Sequence, residues 1–193
     1  MFVLVPFVPE LLPETCPPEY AVECNLCELS GQRTRVVWGE GNADAQLFIV
    51  LDNPGAREDK EGKPYLCGTR ETLLSSIYMA GITPEKIYIS YILKCRPVRR
   101  YDKPVSKGIC IRYLWQQLDS VMPKLLMVLG NTAIQAFSGD ETAEVKNLRG
   151  SIHIFNGYKT VVSYHPLAVR RRPNLKKNFL DDLRLASSCL NKN

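Results

Sequence analysis

Apolar residues occur along this chain in short runs separated by turn-forming clusters, the spacing of strands buried on both faces. Ala45–Leu51 (AQLFIVL) is the first run and stops at the turn sequence Asp52-Asn53-Pro54-Gly55. Lys86–Leu93 (KIYISYIL), Leu125–Leu129 and Ile152–Phe155 predict three more strands, the last with Thr160–Ser163 as its hairpin partner. Between them the spacing is helical. Arg70–Ala80 carries Leu73, Leu74 and Ile77 on one face, and Ser106–Val121 roughly aligns Ile109, Leu114, Leu118 and Val121. Leu175–Leu190 closes the chain as another helix. Strands alternating with helices predict a mostly parallel sheet covered on both faces, with ligands bound beyond the carboxyl ends of its strands. Without repeats or low-complexity tracts, residues 1–193 read as one domain.

The 193 residues are 45% hydrophobic and 23% charged, which excludes a disordered chain. No apolar run approaches the roughly 18 residues of a membrane helix. The opening MFVLVPFVPELLPE is apolar but has three prolines, no basic residue and no small-residue cleavage site. Residues 1–20 therefore read as an arm laid on the surface, not a signal peptide. Seven cysteines, an odd number, argue against a secreted disulfide scaffold. A cytoplasmic protein is expected, with no membrane and no obligate protein partner.

Charge is unevenly spread. Residues 166–193 hold seven Lys/Arg against two Asp, and residues 94–112 hold seven against Asp102 alone. With a total of +5, the remainder of the chain sums to −6. Two basic segments on an acidic chain suggest a polyanion such as nucleic acid, or else two solvated surface faces.

Cys24-Asn-Leu-Cys27 is a C-x2-C pair, followed at long range by Cys95 and Cys110. Four thiolates fit tetrahedral zinc or a [4Fe–4S] cluster equally, and reduced structural cysteines share the spacing. Cys16, Cys67 and Cys189 read as ordinary thiols.

Several fragments, weak singly, combine in order and spacing. They are the C-x2-C followed by Leu29 and Arg33; Val37-Trp-Gly39-Glu-Gly41; Asp52-Asn53-Pro54-Gly55 with Glu58-Asp59; and Gly62-Lys-Pro64-Tyr65. Tyr88-Ile-Ser-Tyr-Ile-Leu-Lys94-Cys95-Arg96-Pro97, Cys110, Leu129-Gly130, Arg149-Gly150 and Tyr164-His165-Pro166 continue the series. Together they resemble the uracil-DNA glycosylases of the iron–sulfur kind, family 4, over about residues 24–185. The resemblance implies a single-domain three-layer α/β/α sandwich around a four-stranded, mostly parallel sheet. It also implies that Cys24, Cys27, Cys95 and Cys110 hold a [4Fe–4S] cluster, with zinc the lesser alternative. The cluster's role would be structural, ordering Arg96–Lys107, Arg99 and Arg100 included, against DNA.

A glycosylase extracts its base from the duplex. Lys and Arg on phosphates supply affinity, and an apolar wedge fills the vacated stack. His165-Pro-Leu-Ala-Val-Arg170-Arg171-Arg172 offers Leu167 or Val169 as wedge and Arg170, Arg171 and Arg172 for phosphates. The plain alternative is a basic loop capping the last helix. His165 suits donation to the negative charge that grows on the leaving base. At the water-positioning motif the chain departs from the family's Gly-Glu-Ala-Pro-Gly. Asp52 keeps a carboxylate, while Asn53 stands where mismatch-specific and single-strand-selective relatives carry a catalytic Asn. Asn53 is the first candidate to orient water and Asp52 the second.

Base recognition departs further. Tyr91 replaces the family's uracil-reading Asn, and a phenol does not reproduce an amide's paired donor and acceptor. Ser90 beside it, Tyr65 in place of a stacking Phe, and Gly55 in place of a bulky gate complete the expected substrate pocket. The combination points to a monofunctional DNA glycosylase with altered or relaxed specificity. Its substrate would be DNA with a modified or damaged base, such as a C5-modified or glucosylated pyrimidine of phage DNA, and its role antiviral defence. The alternatives are uracil excision in base excision repair and a catalytically inactive iron–sulfur DNA-binding module.

Overall fold

The computed structural model describes residues 11–60 and 68–191. Its centre is a run of strands whose side chains are buried on both faces. These are β3 (Leu47–Leu51), β4 (Ile87–Tyr91) and β5 (Leu125–Leu129), each buried at all five positions. Two short strands precede them, β1 (Glu14–Thr15) and β2 (Gly39–Gly41), and two follow, β6 (Ile152–Phe155) and β7 (Tyr158–Ser163). The helices are α1 (Glu19–Val22), α2 (Ala56–Asp59), α3 (Gly68–Met79), α4 (Lys103–Val121), α5 (Asn131–Ser138), α6 (Val145–Leu148), α7 (Pro166–Arg171) and α8 (Lys176–Leu190).

The sheet has seven strands, not the expected four, in the order β1-β2-β4-β3-β5-β7-β6. Its middle is nonetheless four strands paired in parallel, β4-β3-β5-β7. Antiparallel strands extend it on both sides. β1 and β2 escaped sequence reading because they are only two and three residues long and carry no apolar alternation. At the other edge the expected roles are exchanged: β7 joins the parallel core and β6 is the outer strand. The cause is burial, since β7 is fully buried over its last four residues whereas β6 alternates exposed and half-buried. The hairpin between them turns at Asn156-Gly157, both at positive φ (51° and 83°), as a two-residue turn matching strand twist requires.

Alternation along the strands builds the two outer layers. Leu47, Ile49, Leu51, Ile89, Tyr91 and Met127 face α3 and α8, meeting Leu73, Ile77, Phe179 and Leu183. Phe48, Val50, Tyr88, Leu126 and Val128 face α4 and α5, meeting Leu114, Leu118, Ile134 and Phe137. This is the expected three-layer α/β/α arrangement. The described part of the N-terminal arm runs along the β2 edge, with Leu12 buried and the Pro13 carbonyl accepting the Gly41 N–H at 2.8 Å. Among the described residues no helix is long and apolar enough to cross a membrane.

Candidate active site and cysteine cavity

Register brings the carboxyl ends of the parallel strands level, pairing Leu51 with Tyr91 and Leu129 with Ser163. A cleft of about 580 Å³ opens beyond them. It is lined by Asp52, Asn53 and Gly55 after β3, by Tyr91 at the end of β4, and by His165, Leu167, Arg171 and Arg172. Thr69, Arg70 and Leu73 of α3 supply a further wall, and no lysine lines the cleft among the described residues.

His165 caps the N-terminus of α7, its Nδ1 accepting the Leu167 N–H at 3.1 Å. A backbone N–H only donates, so Nδ1 must offer a lone pair and the ring proton sits on Nε2. That Nε2 lies 3.4 Å from Asp52 Oδ1. Gly130 permits the approach: at φ 97°, a Cβ there would lie 3.1 Å from the His165 Cβ. Burial pushes the Asp52 carboxyl up. The His165 side chain and the Asn53 N–H outweigh it and hold Asp52 below its ordinary value. The Asn53 N–H donates to Asp52 Oδ1 at 2.9 Å, and its Nδ2 donates to the Pro54 carbonyl at 2.9 Å, which leaves Oδ1 as the amide's open acceptor.

The cleft floor is ionic. Arg70 Nη2 donates to the Tyr91 hydroxyl and lies 2.8 Å from Glu40 Oε1. Arg57 Nε donates to Glu58 Oε1 at 2.9 Å, and Glu58 Oε2 accepts the Gly55 N–H at 3.0 Å. Burial and the two glutamates push the Tyr91 phenol far above its usual value in spite of the arginines, so it stays protonated. Burial alone would lower Arg70, but Tyr91, Glu40 and Glu58 raise it, so it stays charged. Sequence reading missed Arg70, because a lone arginine in a helical pattern reads as solvent-facing.

Other expected residues fall elsewhere. Ser90 does not line the cleft; its hydroxyl bonds Gln117 Oε1 at 2.7 Å and the Trp38 carbonyl at 3.1 Å on the opposite face of β4. Val169 is buried against the core, which leaves Leu167 as the apolar side chain of α7 on the cleft. Arg170 is exposed and approaches the α3 N-terminus at Gly68. Arg99 and Arg100 are exposed away from the cleft, where Gln32 Oε1 accepts the Arg99 N–H at 2.8 Å. Tyr65 lies outside the described residues.

Cys24, Cys27, Cys95 and Cys110 line one small cavity, with Arg33 and Lys94. Arg33 Nη1 donates to Cys95 Sγ at 3.4 Å, and the Lys94 N–H donates to Cys110 Sγ at 3.2 Å. Among the described residues no three His, Cys, Asp or Glu side chains lie close enough to hold a single metal ion. Four thiols around one cavity are a donor set that a multi-iron cluster or a zinc ion would use. Lys94 gives a second indication. Its buried ammonium donates to Ser90 Oγ at 2.7 Å, to the Tyr91 carbonyl at 2.8 Å and to Gln117 Oε1, and it faces the Trp38 ring, with no carboxylate among these partners. Burial pulls this lysine down to about 7, yet three acceptors match the three N–H groups of the charged form. A four-thiolate centre, negative overall, would supply the missing countercharge. The segment beside the cavity is also tied to the cleft: the Thr34 N–H and hydroxyl both donate to Asp59 at 3.0 Å, and Arg35 donates to the Glu58 carbonyl at 2.7 Å.

The model of the uracil DNA glycosylase superfamily matches residues 38–184. A type-4 uracil-DNA glycosylase of Thermotoga maritima is 33% identical over 178 residues, covering 90% of this chain and 93% of that protein. One of Sulfurisphaera tokodaii is 30% identical over 175 residues, covering 86% and 80%. One of Archaeoglobus fulgidus is 29% identical over 171 residues, covering 84% and 86%.

The strand that leads to His165 is anchored by a buried ion pair. Asp182 of α8, fully buried, takes Arg149 through two contacts at 2.8 and 3.1 Å and accepts the Ser163 hydroxyl at the end of β7. Burial raises Asp182, while Ser163 and Arg149 oppose the rise. Arg149→Met strands this carboxylate and is expected to destabilise the fold by about 3–5 kcal/mol in urea denaturation. A loss under about 1 kcal/mol, the size of an exposed pair, would contradict this account.

Proposed function

The chain belongs to the uracil DNA glycosylase superfamily, and on that footing we propose that it is a monofunctional DNA glycosylase hydrolysing the N-glycosidic bond of a flipped-out, non-canonical base. The observation that carries this reading is a histidine donor facing a carboxylate–amide pair across one cleft. As the bond breaks, negative charge grows on the base and positive charge on the sugar. The Nε2–H of His165, held at 3.4 Å from Asp52 and thus weakly engaged, turns to the base oxygen. Asn53, through its open Oδ1, orients the attacking water, and the Asp52 carboxylate stabilises the sugar and takes the water's proton. Leu167 fills the space the base leaves, while Arg171 and Arg172 hold flanking phosphates.

Specificity in this reading is altered. The position of an amide reader holds Tyr91, already bonded to Arg70, and Gly55 puts no side chain at its own place on the cleft wall. A C5-modified or glucosylated pyrimidine of phage DNA fits that opening, which makes antiviral defence the role. Uracil excision in repair is the second reading, favoured by relatives that are type-4 uracil-DNA glycosylases.

Cys24, Cys27, Cys95 and Cys110 would hold a [4Fe–4S] cluster, supported by their shared cavity and by Lys94 beside it. When bound, the cluster acts as a structural clip. The Thr34–Asp59 and Arg35–Glu58 bonds then connect that clip to α2, directly after the catalytic turn.

Mass spectrometry of free base released from three DNAs tests the reading: uracil-containing, hypoxanthine-containing, and phage DNA with glucosylated hydroxymethylcytosine. Release from the phage DNA alone is expected, slowed about 100- to 1000-fold in a folded His165→Ala variant. Uracil release instead would establish the repair reading, and binding without any release would leave a DNA-binding module. Metal analysis of protein purified without air should find about four iron and four sulfide per chain. One zinc and no sulfide would contradict the cluster.

A further inference from the structure

The floor of the cleft contains a buried donor that has no hydrogen-bond partner among the described residues. Arg70 is only 4% exposed; its Nη2 donates to the Tyr91 hydroxyl and lies 2.8 Å from Glu40 Oε1, a buried oxygen that itself accepts no hydrogen bond among the described residues. Its Nε lies 3.6 Å from Glu58 Oε1. Its Nη1, also buried, has no hydrogen-bond partner among the described residues. Buried donors are almost always paired, and one on a charged group is costly to leave idle. Arg70 lines the cleft beside Tyr91 and Leu73, where a flipped base would arrive. Arg57 and Arg70 are matched in charge by Glu40 and Glu58, so the guanidinium does not call for an anion. A guanidinium only donates, so what would complete Nη1 is an acceptor.

We infer that Arg70 is the specificity-determining residue of the cleft, donating through Nη1 to a lone-pair acceptor on the flipped nucleotide. The inference rests on the glycosylase reading above and gives it a recognition element. The acceptor has two sources of the same chemistry: a ring nitrogen or carbonyl oxygen of the base, or a hydroxyl oxygen on a C5 substituent. An N–H presented at that point meets donor against donor and is rejected. The pairs to Tyr91, Glu40 and Glu58 fix the fork in advance, so little side-chain entropy is lost on binding.

The test measures binding to duplexes carrying one 2′-fluoroarabino nucleotide, which resists hydrolysis. The probes bear uracil, cytosine or their 5-hydroxymethyl derivatives, and a tetrahydrofuran abasic duplex is the reference. Arg70→Met is expected to weaken the best base-bearing probe about tenfold or more while leaving the abasic duplex within about twofold. A loss shared by the plain and hydroxymethyl forms identifies the ring as the acceptor, and a loss confined to the hydroxymethyl form identifies the substituent. Arg70→Lys keeps the charge balance, loses the fork, and is read the same way if Arg70→Met fails to fold in a thermal melt. Equal weakening of the abasic duplex, or no change on any probe, makes Arg70 structural and overturns the inference. Failure of the glycosylase reading looks different: the unaltered protein would bind base-bearing and abasic duplexes alike and release no base.

Discussion

One hydrogen bond, from the Leu167 backbone N–H to Nδ1 of His165, decides what the cleft can do. It is an ordinary helix cap, and its chemical consequence is to force the imidazole proton onto Nε2, facing Asp52. Much of the fold serves that arrangement. β7 must run parallel and in register with β5 so that Ser163 ends level with Leu129, and Gly130 must lack a side chain so that His165 can pack against it. Asp182 and Arg149 hold the end of β7 from α8. The His165–Asp52 geometry is here a by-product of capping a short helix at the end of a parallel strand.

The other half of the site is built from charge placed where water is scarce. Glu58, Arg70 and Tyr91 line the floor with Glu40 and Arg57 against them, and the group joins the turn after β3 to the first turn of α3. On the opposite side of the sheet Lys94 is similarly buried but lacks a carboxylate among its partners, and its neighbours are the four cysteines. The two features are linked through the segment Arg33–Arg35, which touches Cys95 at one end and Glu58 and Asp59 at the other. A short chain of hydrogen bonds therefore connects the cysteine cavity to the helix that follows the Asp52–Gly55 turn.

The layered fold was legible because β3, β4 and β5 are continuous apolar runs, which only a doubly covered parallel sheet requires. β1 and β2 were not, since two and three residues carry no period. The edge was misjudged because Ile152 and Ile154 look as apolar as Val161 and Val162, and tertiary burial alone separates them. At the site, Asp52, Asn53, Gly55, Tyr91, His165 and Leu167 do meet in one cleft. Ser90 could have been excluded from sequence, because neighbours on a strand point to opposite faces and Tyr91 was already assigned inward. Arg70 could not have been found that way. Its burial depends on Glu40, thirty residues earlier on strand β2, and local pattern carries no record of such a pairing.

Nitrogen-15 NMR of the histidine side chains tests the central claim most directly, by reporting which ring nitrogen of His165 carries the proton at neutral pH. The account predicts a protonated Nε2 and an unprotonated, hydrogen-bonded Nδ1, with the Nδ1 signal changed when Pro replaces Leu167 and the capping N–H is lost. A ring protonated at Nδ1, or at both nitrogens, would contradict it.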